Sequence, residues 1–86
     1  MTVPYDIRFT REAVKDVQVL PPKLKAKLKT VLEQVVAMNP TAGKALVGDL
    51  KEFYSYRLTI LERILYTVSE DEHTVYIHRA RIHYGD

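Results

Sequence analysis

The hydrophobic period of this chain changes near residue 40, and that change limits the folds it can adopt. Residues 23–38 carry apolar side chains at helical spacing. The apolar stripe consists of Leu24, Leu28, Val31, Leu32, Val35 and Met38. After "NPTAG", the stretch "YSYRLTILERILYTV" at residues 54–68 alternates at strand spacing and predicts a β-hairpin. An antiparallel sheet is therefore predicted to follow the helical part of the chain.

The N-terminal part predicts one strand and a first helix. "PYDIRFT" alternates Tyr5, Ile7 and Phe9 with polar residues, as a half-buried strand does. Thr10 is a good N-cap for the helix "REAVKDVQVL", which "LPP" ends, and Pro22 suits the first position of the second helix.

Three strands are predicted after the helices, at about 51–59, 63–69 and 74–82, separated by "TILE" and "EDEH". The predicted fold is therefore α+β in a single domain over residues 1–86. It has an N-terminal strand, a two-helix hairpin and a three-stranded antiparallel meander, with the helices packed on one face of a twisted sheet.

Composition excludes several functional classes. The 86 residues contain no cysteine, so neither disulfides nor thiolate metal sites are possible. No stretch approaches the ~18 apolar residues of a membrane span, and the N-terminus lacks a secretory pattern. We therefore expect a cytoplasmic protein with no membrane partner. The net charge is +2, with lysines concentrated in the first half and arginines in the second.

Arginines in the predicted strands are candidates for a working surface. Arg57 and Arg63 flank the turn of the hairpin. In the last strand, alternation places Arg79 and Arg81 on one face with Val75 and Ile77. The opposite face of that strand would hold Tyr76, His78, Ala80 and Ile82. Either the arginines surround a concavity on the face that the helices leave open, or they are solvated strand residues.

Histidines and lysines form two further candidate groups. His78, His83 and Tyr84 lie near the arginines of the last strand, where a histidine can act as general acid or base. A metal site is poorly supported, because no carboxylate cluster joins the evenly spaced histidines. The lysines off the helical stripe form either a phosphate-attracting rim or a solvated helix face. They are Lys23, Lys25, Lys27 and Lys29.

Two long segments resemble the RelE/ParE superfamily of toxins from bacterial toxin–antitoxin modules. They are "YDIRFTREAVKDVQVLPPKLKAKLKTVLEQV" and "NPTAGKALVGDLKEFYSYRLTILERILYTVSEDEHTVYIHRARIH". The most specific parts are "AVKD", "NP" followed by "LVGDL", and "YSYRL" followed by "RILY", which look more like the RelE branch. The resemblance implies a helix pair on a twisted antiparallel sheet. It also implies metal-independent, cofactor-free cleavage of mRNA in the ribosomal A site.

The resemblance also implies roles for particular residues. Arg57 and Arg63 match basic positions that contact the scissile phosphate, and His83 or Tyr84 matches a further basic position at the end of the last strand. Arg81 lies close to that position in either register. Together, these five are the expected catalytic residues. The expected RNA-binding residues are Lys23, Lys25, Lys27, Lys29, Lys51 and Arg79.

The sequence departs from the family pattern at two places. Ser55 stands where some relatives have a catalytic lysine. The given sequence stops at "GD", so the functional tyrosine of many relatives' tails is either absent or was removed. The expected partners are the ribosome with its mRNA and a cognate antitoxin, whose acidic or amphipathic C-terminal segment wraps the toxin. The alternatives are a ParE-like inhibitor of DNA gyrase, and a non-catalytic or degenerate member that only binds a partner.

Overall fold

The computed structural model describes residues 3–46, 48 and 52–82. Two helices and a five-stranded sheet make up the fold. In chain order the elements are β1 (Asp6–Phe9), α1 (Arg11–Gln18), α2 (Pro22–Val31), β2 (Lys44–Ala45), β3 (Tyr54–Arg57), β4 (Arg63–Ser69) and β5 (Thr74–Ile82). The α+β prediction is confirmed, with helices and strands in the expected order. In the described part of the chain, no helix has the length and apolar character needed to cross a membrane.

The sheet is wider than the predicted meander. Its strand order is β1-β5-β4-β3-β2, with β1 parallel to β5 and every other neighbour antiparallel. The sequence did not predict β2, because two residues are too few to show alternation. This short strand extends the edge of the sheet beside β3 and brings Lys44 directly opposite Ser55.

Local signals set the helix starts as expected. The Oγ1 of Thr10 accepts a hydrogen bond from the Ala13 backbone N–H at 3.3 Å, which caps α1. Pro22 is the first residue of α2, where its missing N–H removes no intrahelical bond. The two prolines of "LPP" therefore separate the helices and allow both to pack on the sheet.

The apolar stripe of the second helix is interrupted by a π-helical turn over Leu32–Val36. A π turn adds a residue to the helical repeat and so changes which side chains face inward. Val36 and Ala37 are buried, whereas Met38 is 46% exposed. The prediction that Met38 belongs to the buried stripe is therefore wrong.

The strict alternation predicted for β5 is also wrong. Its pairing with β4 shifts register on both sides of Leu65, so that Leu65 lies opposite Arg79 and Tyr66 lies opposite Ile77. Such bulges place an extra residue on one strand and break the period of two. Ile77 and Ala80 are both completely buried, although alternation would put them on opposite faces.

Tyr66 links the sheet to the segment that precedes β2. Its side chain is fully buried, its hydroxyl donates to the Pro40 carbonyl at 2.6 Å, and it accepts from the Gly43 backbone N–H at 3.1 Å. A Cβ atom at Gly43 would lie 2.5 Å from that hydroxyl, so only glycine fits there. These contacts hold the chain where Lys44 begins β2.

Candidate functional site

Arg57 and Arg63 lie directly opposite each other at the end of the β3–β4 pair. Their neighbours Tyr56 and Ile64 are also opposite each other and face the helical layer, where Ile64 belongs to the core. Since successive side chains alternate, both arginines project from the other face of the sheet. Arg57 is exposed and Arg63 is half-buried. Two guanidinium groups on directly opposite strand positions concentrate positive charge at this end of the sheet.

A concavity of about 210 Å³ lies beside the arginine pair, lined by Lys44, Leu46, Ser55 and Arg63. Lys44 and Ser55 lie directly opposite each other. Ser55 is two residues from Arg57 along β3, so both pairs project from the same face of the sheet. Ser55 is 5% exposed, and its Oγ has no hydrogen-bond partner in the described part of the chain. Buried hydroxyls are normally paired, so this one is an unsatisfied hydroxyl in the wall of the cationic hollow.

Arg79 is oriented away from this pair, toward the helical layer. Its Nε donates to Asp16 Oδ2 at 2.7 Å and its Nη2 donates to Asp16 Oδ1 at 3.1 Å. The same carboxylate accepts the Ala80 backbone N–H at 3.1 Å. The hydrogen bonds to Asp16 hold the pKa of Arg79 above its ordinary value. Arg79 therefore has a structural role that joins α1 to β5.

His78 is packed within the open face. Its ring meets Phe53 edge-on at a centroid distance of 4.9 Å, and its Nε2 shares a 2.9 Å hydrogen bond with Thr67 Oγ1. Partial burial lowers the pKa of His78 from its ordinary value of 6.5. The ring is therefore neutral at physiological pH and packs as an aromatic group.

His78 should make the fold less stable in mild acid. Because its pKa is lower in the folded state, the unfolded chain binds a proton first as the pH falls below 6.5. We expect the free energy of unfolding, measured by urea titration, to fall between pH 7.5 and pH 5.5. The fall should be smaller in His78→Gln, and an equal fall in the two proteins would contradict this role.

The lysines of α2 lie on the helical layer, across the sheet from the arginines. All four of Lys23, Lys25, Lys27 and Lys29 are exposed. Two of them, Lys25 and Lys29, line an apolar groove of about 220 Å³. Its other lining residues are Ile7, Phe9, Val17, Leu28, Leu32 and Glu33. The structure therefore does not bring these lysines together with Arg57 and Arg63.

Four of the predicted site residues have side chains outside the described part of the structure. His83, Tyr84 and Lys51 lie outside the described residues, and of Arg81 only the backbone, in β5, is described. Among the described residues, no three His, Asp or Glu side chains are gathered to hold a metal ion. Lys44 was missed by the sequence analysis, because the cation lies on a strand too short to predict. The one signal in the sequence was Ser55, which stands where the resemblance places a lysine in some relatives.

Comparison with solved structures relates the whole chain to known toxins. Over 100% of its length, it is 32% identical to a chain of the RelBE2 toxin–antitoxin complex of Mycobacterium tuberculosis. The match covers 98% of that chain with a TM-score of 0.84. This protein belongs to the RelE/ParE toxin superfamily, in its RelE-like branch.

More distant members of the superfamily share the fold. The YoeB dimer of Staphylococcus aureus is 26% identical over 95% of this chain and 100% of its own, with a TM-score of 0.77. The YoeB/ParE toxin of Agrobacterium tumefaciens is 23% identical over 92% of this chain and 99% of its own, with a TM-score of 0.79. No protein-family model and no curated protein sequence matches the chain. The sheet and helix pair therefore match the fold of these toxins.

Proposed function

We propose that this protein is the toxin of a type II toxin–antitoxin system and cleaves mRNA on the ribosome, in the cytoplasm. The observation that carries the proposal is the directly opposed pair Arg57 and Arg63 on the open face of the sheet. Two guanidinium groups side by side suit a phosphodiester, because each presents a planar set of donors to phosphate oxygens. Lys44 adds a third positive charge to the same face.

The proposed reaction is attack of a ribose 2′-hydroxyl on the adjacent phosphate. The 2′-oxygen forms a bond to phosphorus, the bond to the 5′-oxygen breaks, and the products are a 2′,3′-cyclic phosphate and a 5′-hydroxyl. Arg57 and Arg63 stabilise the negative charge that develops on the phosphate oxygens. A base must accept the 2′-proton and an acid must protonate the leaving oxygen. His83 is the proposed proton-transfer group, assisted by Arg81 and Tyr84.

A second surface supports an antitoxin partner. RelBE2 is a toxin–antitoxin complex, and YoeB of S. aureus forms a complex with YefM. In this chain, the apolar groove between β1 and the helices has Lys25 and Lys29 on its lining. Phe9 and Val14, at 40% and 43% exposed, line a neighbouring apolar hollow of about 180 Å³. An amphipathic, acidic antitoxin segment matches both the apolar lining and the basic charge.

The antitoxin surface can be tested at Val14. We expect Val14→Glu to weaken antitoxin binding by about 10- to 100-fold, because the charge replaces a buried apolar contact worth about 1.5–3 kcal/mol. Val19→Glu is the matched control, since Val19 is 62% exposed and does not line either hollow. Isothermal titration calorimetry with the cognate antitoxin measures the affinity of each variant. Equal affinities for the two variants would place the partner elsewhere.

The decisive experiment for the nuclease is to induce the chain in cells and map 5′ ends on a reporter mRNA. Cuts confined to translated frames support cleavage on the ribosome. Growth arrest with intact mRNA and double-strand DNA breaks would instead identify a gyrase inhibitor. No arrest would indicate a degenerate toxin that only binds its partner.

A further inference from the structure

The concavity beside the arginine pair has features that the proposed cleavage site does not use. Lys44 and Ser55 form a cross-strand pair on its wall, and Arg63 connects it to the arginine site. The row of Lys44 and Ser55 lies two residues along β3 from the row of the arginines, or roughly 6.6 Å at the usual rise of a strand. Lys44 is exposed, so its ammonium group is accessible to a ligand.

Ser55 supplies the observation that points to a ligand. Its side chain is almost completely buried, yet its Oγ has no hydrogen-bond partner among the described residues. An unpaired buried hydroxyl costs free energy, and an anion held by Lys44 would provide an acceptor for it. Lysine acts as a point charge toward phosphate, and the serine hydroxyl adds a directional donor.

We propose that Lys44, Ser55 and Arg63 form a second phosphate subsite, which holds the phosphodiester next to the scissile one. This inference rests on the proposed RNA cleavage, since Lys44 and Ser55 would bind the phosphate of the adjacent nucleotide in the same RNA substrate. Lys44 is a positioning residue, because it places the RNA strand while the arginine pair acts on the reacting phosphate. In this subsite, Ser55 contributes no charge, and the positive charge beside it comes from Lys44 on the adjacent strand β2.

The test is a titration of the purified protein with inorganic phosphate, followed by the amide signals of Lys44, Ser55 and Arg63 in NMR spectra. We expect saturable shifts at these amides. Lys44→Gln should weaken the apparent affinity about fivefold, and Ser55→Ala about tenfold, as for one hydrogen bond to a charged group. Lys15→Gln removes one positive charge from α1, away from the subsite, and should bind phosphate as the unsubstituted protein does.

Thermal melting separates a binding role for Ser55 from a structural one. Because Ser55 Oγ has no partner in the described part of the chain, Ser55→Ala should melt no lower than the parent. A lower melting temperature with unchanged phosphate affinity would overturn the proposal, as would parent-like titration of both variants. If phosphate binds as expected but the induced chain makes no cuts in mRNA, the phosphate site itself stands. The nuclease proposal and the assignment of the site to the nucleotide beside a scissile phosphate then both fail.

Discussion

Arg63→Ala should slow mRNA cleavage by roughly 10²–10³, because it removes one of two donors that stabilise charge on the reacting phosphate. Arg63 opens β4, lies opposite Arg57 and also lines the concavity that holds Lys44. Arg63 therefore belongs to both parts of the proposed RNA surface. The measurement is single-turnover cleavage of mRNA on programmed ribosomes, with the purified variant in excess.

Two further variants show whether this effect is specific. Arg63→Lys keeps the charge but loses the planar fork, so it should recover only part of the rate. Lys15→Gln removes a positive charge from exposed α1 and should cleave at the parent rate. Urea unfolding confirms that each variant is folded. If Arg63→Ala cleaves as fast as Lys15→Gln, the arginine pair is not the phosphate site.

The opposed arginines also indicate a conflict between stability and function. Like charges directly opposite on a sheet are unfavourable relative to an apolar or oppositely charged pair. Nothing in the packing of the core requires them, because the core lies on the other face, at Tyr66 and Ile64. Two opposed arginines that the core packing does not require are typical of a site retained for binding.

The sequence predicted much of the fold because its strongest periodic segments coincide with regular elements. The strands at 63–69 and 74–82 match β4 and β5, and Thr10 caps α1 as expected. The errors come from tertiary features without a local signal. A π turn exposes Met38, and register shifts along β5 bury Ala80 on the same side as Ile77.

The candidate site was only partly predictable for the same reason. Hairpin alternation put Arg57 and Arg63 on one face, since a short turn fixes the register of two strands. Lys44 reaches the site through β2, whose position depends on the hydrogen bonds of Tyr66 to Pro40 and Gly43. Side chains brought together by such long-range contacts share no spacing that a single sequence can show.

Tyr66→Ala should destabilise the fold by about 3–5 kcal/mol, because it leaves a large cavity at the centre of the core. Tyr66 is completely buried and stacks on Tyr54 at a ring-centroid distance of 5.5 Å. The stability of a small domain is about 5–15 kcal/mol, so this single change removes a large part of it. Burial also raises the pKa of Tyr66 to about 12, so its hydroxyl stays protonated as a donor to Pro40.

Tyr66→Phe isolates the hydroxyl from the ring. The ring packing stays, but the Pro40 carbonyl and the Gly43 N–H lose their bonds, which should cost about 1–3 kcal/mol. Tyr76→Phe is the matched control, because the Tyr76 hydroxyl donates to Glu72 in an exposed hydrogen bond. Urea unfolding should rank Tyr66→Ala below Tyr66→Phe, and Tyr66→Phe below Tyr76→Phe. If Tyr66→Phe is as stable as Tyr76→Phe, the Tyr66 hydroxyl does not anchor the segment before β2. The placement of Lys44 must then depend on the pairing of β2 with β3 alone.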